Sequence, residues 1–508
     1  MAFVTTVEDT TVFGMLDLAT EERSPVVAFP DADFQIAWLE WANEGRILFG
    51  ADIPFSGAMR VRARSHLLFG VDRDGENLRH LGSRWFGRSG NRSKPEPEAL
   101  RLVPIQYEDH VVAWLRDDPR HVLLSLRPPN RRAGEGVYEL DVHTGDLDEV
   151  VPARGTIAEW YANRNGAVRM GVGVDHTQMT VVARARDDQL FEPVASYHVT
   201  EGTAFKPLGL SSKPSVALVS SAHETGRAAV YEYDLEHRRF VRRLFGHPEV
   251  DIGGLIHSRQ KNEYVGVVYA VDRPQSYYWD ADAGKEQADI DRALPGRFNR
   301  IVSRSADGRL ALVRSSSDVV PPTTYLYDRD KRAMGELFDD YPGLRDVELA
   351  PTRAFTYEAR DGLEIPAYLT LPNSGGKAKL PLIVYPHGGP WARDYIDFDP
   401  VVQLFASRGY GILQINFRGS TGYGAKFTAL GHQKLGMEMQ DDLTDGVRYL
   451  IAKGIADPKR IGVYGASYGG YAALMGAATT PDLFLCAASY AGVSDLDALI
   501  DESRWYQA

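Results

Sequence analysis

Arg460-Ile-Gly-Val-Tyr-Gly465-Ala-Ser467-Tyr-Gly469-Gly470-Tyr-Ala-Ala-Leu474 is the stretch that decides the fold of the C-terminal third. Its first half, with Ile461, Val463 and Tyr464, has the apolar, β-branched character of a buried strand. Its second half opens the segment 468–478, which reads as a helix. The glycines between them allow a turn too tight for side chains beside Ser467. Gly465-Ala-Ser467-Tyr-Gly469 therefore reads as a strand–turn–helix elbow that lifts one hydroxyl above the edge of a sheet and places it at a helix N-terminus. A G-x-S-x-G alone is a weak signal; between a strand and a helix it becomes a strong one.

The surroundings carry the same rhythm. Residues 355–372 read as a β-hairpin about Asp361-Gly362, and 380–386 and 410–417 as buried strands. Leu443, Val447, Leu450 and Ile451 recur at helical spacing before Gly454, a C-cap residue, and 485–490 reads as a further strand. Strands alternating with helices predict a parallel sheet in an α/β domain. His387-Gly-Gly-Pro390 ends the strand 380–386, and its glycines let backbone N–H groups approach a ligand. Ser467 is thus a candidate nucleophile, with the N–H groups of Tyr468 and Gly389 as candidate donors to a developing oxyanion. His387 precedes the serine and lies in the donor loop, so it reads as part of that loop and not as the base.

Residues 1–345 have a different texture, with short apolar runs, many turns and little helical periodicity. Strands ending in Asp recur, as in Val137-Tyr-Glu-Leu-Asp141, Val230-Tyr-Glu-Tyr-Asp234, Tyr277-Tyr-Trp-Asp280 and Thr324-Tyr-Leu-Tyr-Asp328, with weaker copies at Asp17, Asp72 and Asp187. From Asp141 the intervals are 46, 47, 46 and 48 residues. Polar turns such as Asn163-Arg-Asn-Gly166 and Ser305-Ala-Asp-Gly308 keep the same beat. A period of this length without helices predicts a β-propeller of four-stranded blades. Seven Asp-terminated units predict seven blades, the Asp residues serving turn chemistry. Only 16 residues precede Asp17, which predicts an incomplete first blade; the charged stretch 84–97 reads as an insertion.

Four motifs in order, His387-Gly-Gly-Pro, Asn416-Phe-Arg-Gly-Ser-Thr-Gly-Tyr-Gly424, Asp457-Pro-Lys-Arg-Ile-Gly462 and Gly465-Ala-Ser-Tyr-Gly-Gly, resemble those of the catalytic domain of the prolyl oligopeptidase family of serine peptidases. The resemblance implies a seven-bladed propeller (1–345) followed by an α/β-hydrolase domain (355–508). Seven blades favour its acylaminoacyl-peptidase-like and oligopeptidase branches. It further implies hydrolysis of short peptides through an acyl-enzyme on Ser467. Arg418, after a buried strand, reads as a structural fork.

The triad is the point of departure. In this fold the order is Ser, Asp, His. The last histidine of the chain is His432, and the aspartates after the serine are Asp482, Asp495, Asp497 and Asp501. Asp495 matches a family position near the site but not the triad Asp. The expectation is a fragment, inactive as it stands, with the edge of strand 485–490 unpaired and prone to aggregation. An esterase on the same scaffold and a non-catalytic propeller binding protein are the alternatives.

Composition bounds the rest. The 508 residues are 44% hydrophobic and 25% charged, with net charge −12, which argues against nucleic acid and anionic membranes as partners. No stretch is apolar for long enough to span a bilayer. The single cysteine, Cys486, excludes an internal disulfide and reads as a small buried residue; this favours a reducing compartment such as the cytoplasm but leaves open a leader upstream of Met1. No metal-ligand cluster, phosphate loop or dinucleotide fingerprint appears, so no cofactor is expected. A homo-oligomer stays open.

Overall fold

A computed structural model describes residues 1–7, 10–18, 20, 22–29, 34–56, 62–81, 108–127, 134–201, 205–213, 215–373 and 378–502. The stretch read as an insertion, 84–97, lies outside the described residues. Seven antiparallel sheets follow one another along 2–29, 35–80, 111–151, 157–198, 206–245, 252–278 and 298–339, the blades of a seven-bladed β-propeller. The first has three strands among the described residues.

The repeat marker has a physical basis. Strands Gly136–Asp141, Ala229–Asp234 and Val320–Asp328 are the third of their sheets and end on the marker Asp. Asp141 Oδ1 accepts from the N–H groups of His143 and Thr144, and Asp328 Oδ1 from those of Asp330 and Lys331. Each carboxylate thus closes the turn into the outer strand. Asp280 departs from this: it caps a helix, Ala281–Ala293, by accepting from the Ala283 N–H, where the period predicts a strand. Ile290 of that helix is fully buried with Val313 and Tyr327 of the next sheet. Gln287, the other buried residue of the helix, donates to the Asn299 carbonyl and accepts from the Tyr278 hydroxyl, which fastens the helix between the two sheets.

The chain divides into two compact units. One comprises Met1–Ser196, Gly209–Val216 and Leu235–Arg238; the other comprises Tyr197–Leu208, Ala217–Asp234 and Arg239–Ala508. The first holds the early sheets, with cores such as Phe13, Ile47 and Phe49, and a fully buried Arg46 bonded to Asp72. The second holds the later sheets and one larger mixed sheet.

That sheet contains β1 (Thr352–Glu358), β2 (Glu364–Thr370), β3 (Leu380–Val384), β4 (Gly411–Ile415), β5 (Ala456–Ala466) and β6 (Cys486–Tyr490), in the order β1-β2-β4-β3-β5-β6. β1, β2 and β4 pair antiparallel; β4, β3, β5 and β6 run parallel. Helices α1 (Pro400–Ala406), α2 (Glu438–Ala452) and α3 (Tyr468–Thr479) link or cover the parallel strands. Leu443, Val447 and Leu450 of α2 pack with Leu413, Ile415 and Val463 in the core. This is the α/β-hydrolase architecture.

β6 is the edge strand among the described residues, and all five of its residues are exposed. The burial expected for Cys486 is therefore corrected: its thiol is exposed on this edge strand.

Candidate active site

β5 ends at Ala466, α3 begins at Tyr468, and Ser467 stands between them with φ 55° and ψ −122°. A non-glycine residue in this region costs about 1–3 kcal/mol, so the surroundings must impose it. They do so by close approach. A Cβ on Gly465 would meet the Gly469 carbonyl oxygen at 2.3 Å, and one on Gly469 would meet the Pro386 carbonyl oxygen at 2.2 Å. The Ser467 N–H donates to the Tyr490 carbonyl at 3.1 Å, fastening the turn to β6. The Ser467 side chain is exposed and makes no hydrogen bond among the described residues.

The donor loop lies alongside. A Cβ on Gly388 would sit 3.6 Å from Ser467 Cβ, and Gly389 has φ 121°. Tyr468 opens α3, its ring buried and its hydroxyl 3.9 Å from Met439 Sδ. Ser467, Tyr468 and the glycine loop are thus brought to one place.

His387 is occupied elsewhere. Its Nδ1 lies 2.7 Å from the Gly388 carbonyl oxygen and its Nε2 lies 2.9 Å from Ser420 Oγ, and the ring stacks on Phe417. Burial pushes the imidazole down to about 4, with the charge of Arg393 acting in the same direction. The ring is therefore neutral at pH 7. Beside Nε2, the Ser420 hydroxyl donates its one hydrogen to the Phe417 carbonyl at 2.7 Å. By holding the Gly388 carbonyl, the ring fixes the peptide plane whose other end is the Gly389 N–H.

Two residues that the sequence did not single out follow in the same loop. Arg393 donates to the carbonyls of Ala270 and Val271 and to the Tyr423 hydroxyl, over whose ring it also lies. Asp394 has one carboxylate oxygen buried without a hydrogen-bond partner among the described residues. Burial, and then the charge of Asp399, pushes its carboxyl up to about 7. Nothing local in Arg-Asp betrays either role: Arg393 depends on carbonyls about 120 residues earlier in the chain, and Asp394 on its burial.

Arg418 is a structural fork. It is bidentate to fully buried Asp442 on α2 and also reaches Asp361 in the β1–β2 turn. Asp495 accepts from the Ala498 N–H and starts the helix Leu496–Glu502.

Residues 396–508 match the prolyl oligopeptidase family. Dipeptidyl aminopeptidase BIII of Pseudoxanthomonas mexicana is 35% identical over 425 residues, covering 81% of this chain and 60% of that protein. Dipeptidyl peptidase family member 6 of Caenorhabditis elegans is 30% identical over 305 residues, covering 56% of this chain and 41% of that one. The chain thus spans 60% or less of the length of these curated relatives. In fold it is similar to a puromycin-hydrolysing peptidase of Mycobacterium tuberculosis, with TM-score 0.67, 19% identity, and 99% and 80% of the two chains covered. It is also similar to the acylaminoacyl peptidase of Pyrococcus horikoshii, with TM-score 0.58, 16% identity, and 100% and 80% covered. With propeller, hydrolase sheet and serine elbow in one chain, and relatives of this kind, the protein belongs to the prolyl oligopeptidase family, a family of serine peptidases.

Proposed function

We propose that this chain is the propeller (1–345) and the nucleophile-bearing part (355–508) of a peptidase that cleaves short peptides through an acyl-enzyme on Ser467. The observation that carries the reading is the strained, exposed Ser467 at the N-terminus of α3 beside the Gly388–Gly389 loop. In the mechanism, Ser467 Oγ attacks the scissile carbonyl carbon. The N–H groups of Tyr468 and Gly389 donate hydrogen bonds to the negative charge that develops on the carbonyl oxygen, and the amine leaves with a proton supplied by the base. Water then releases the acyl group. His387, neutral and held in the donor loop, orients the Gly389 N–H and takes no proton.

A base and its orienting carboxylate are required, and no histidine follows Ser467 in the 508 residues. These residues alone are expected to be inert toward peptides. The test is to read the gene past codon 508 and assay the full reading frame on short peptide anilides. The expected result is an Asp and then a His in frame, with hydrolysis that falls at least about 10³-fold in Ser467→Ala. A stop codon after Ala508, or hydrolysis that survives Ser467→Ala, overturns the proposal.

A further inference from the structure

A cavity of about 1900 Å³ lies within the second compact unit. It is walled by the first strands of three propeller sheets and by the loop that continues from Gly389-Pro390, including Trp391 and Tyr395. Seven lysines and arginines and four aspartates and glutamates line it, a cationic excess in a chain whose net charge is −12.

The acids are all engaged. Glu286 pairs with Arg304, and Asp282 with Lys261. Asp251 accepts from the N–H groups of Ala228 and Gly424, and Asp397 from the Ser316 hydroxyl and the Phe398 N–H. Among the cations, Arg314 pairs with Asp340, Arg329 with Asp330, and Arg393 is spent on carbonyls and Tyr423. Two remain. Lys206, in the strand Lys206–Leu210, and Arg300, in the strand Phe298–Arg304, are exposed to the cavity and make no hydrogen bond or ion pair with a described residue. Arg300 stands opposite Arg314 in its sheet, and Arg314 is held by Asp340, which leaves Arg300 without a cross-strand counterion. Burial, then the charge of Asp397, pushes the Tyr395 hydroxyl up and Arg300 acts on it in the opposite direction, which places Arg300 by the loop that leads from Gly389.

Unpaired cations of like sign in a partly enclosed cavity focus a positive potential and favour an anionic ligand. An arginine fork suits a carboxylate, since it donates two parallel hydrogen bonds to the two oxygens. We propose that Arg300 forms a carboxylate-binding subsite, with Lys206 adding positive potential to the same cavity, that selects peptides bearing a free carboxylate, from the C-terminus or an acidic side chain. This rests on the reading of the chain as peptide-binding.

The test uses the 508-residue chain and calorimetric binding of three probes: acetyl-tetraalanine with a free C-terminus, its C-terminal amide, and an amide with glutamate at the third position. The free acid should bind about tenfold tighter than the plain amide at low salt. The gap should vanish in Arg300→Gln/Lys206→Gln, whose melting temperature should match the parent because both side chains are exposed. Recovery of tight binding by the glutamate amide identifies the side chain as an accepted source; failure to recover it confines recognition to the C-terminus. Equal affinity for the acid and both amides, a gap that survives in the double variant, or no binding of the free acid at millimolar concentration overturns the proposal. The peptidase reading is judged separately by Ser467→Ala in the full reading frame, so either can fall alone.

Discussion

Ser467 and His387 illustrate how a single residue can be legible in type and opaque in role. The elbow was readable because its glycines obey a local rule: any side chain at Gly465 or Gly469 collides with backbone at under 2.5 Å. His387 was readable only by exclusion, from its place before the serine. That its ring holds the Gly388 carbonyl depends on Ser420 and Phe417, about 30 residues away. Asp394 gave no signal, since an aspartate in a loop is ordinarily solvated. Its burial has a consequence for pH. The carboxyl ordinarily titrates at 3.8 and in the folded protein near 7. Between those values the folded state holds a proton that the unfolded chain has released, so this residue makes stability fall as pH rises. Asp394→Asn removes the titration. The stability of the variant relative to the parent should rise by about 1–3 kcal/mol from pH 5 to pH 8, measured by urea unfolding at each pH. A pH-independent difference would show that the carboxyl is ionised at no cost.

At the level of elements, the strands and helices of the hydrolase sheet follow their apolar periodicity closely, and the hairpin forms about Asp361-Gly362 as the turn chemistry dictates. What periodicity does not contain is how α2 is held against β4 and the hairpin. Arg418 does this with one fork: it follows β4, binds Asp442 in α2 and reaches Asp361 in the β1–β2 turn. The pair is buried, so the sign of its contribution depends on which partner is removed. Deleting the arginine leaves Asp442 charged and without its counterion in the core, which costs about 3–5 kcal/mol. Arg418→Met should lower the unfolding free energy by that amount, while Arg418→Met/Asp442→Leu should recover a large part of it. A double variant no more stable than the single one would mean that hydrogen bonding by Asp442 to the Arg418 backbone N–H, present at 2.8 Å, is the larger effect.

On the scale of the whole molecule, the propeller was legible because a repeat multiplies a weak signal. One Asp-terminated strand means little, whereas several at 46–48 residues define blades. The sixth sheet shows the limit: the beat persists through Asp280, but the element after it is a helix. Illegible in the sequence, too, is the joining of the last blade to the hydrolase sheet within the second unit, since it runs through residues with no motif. Gln403 of α1 is buried; its Nε2 donates to the carbonyls of Asp318 and Ala350, and its Oε1 accepts from the Ala350 N–H, each at 2.9 Å. Asp318 in turn accepts from the Thr352 N–H at the start of β1. One amide thus ties the turn of the last propeller sheet to the strand that opens the hydrolase sheet. Gln403→Ala removes three hydrogen bonds and leaves buried backbone groups without partners, a loss of about 2–4 kcal/mol. Because the severed groups belong to both sheets, the loss should be shared between them. Hydrogen exchange read by mass spectrometry should show Val320–Asp328 and Thr352–Glu358 losing protection together and by similar factors. Loss confined to one of the two strands would mean that the sheets open independently and that Gln403 serves only its own side.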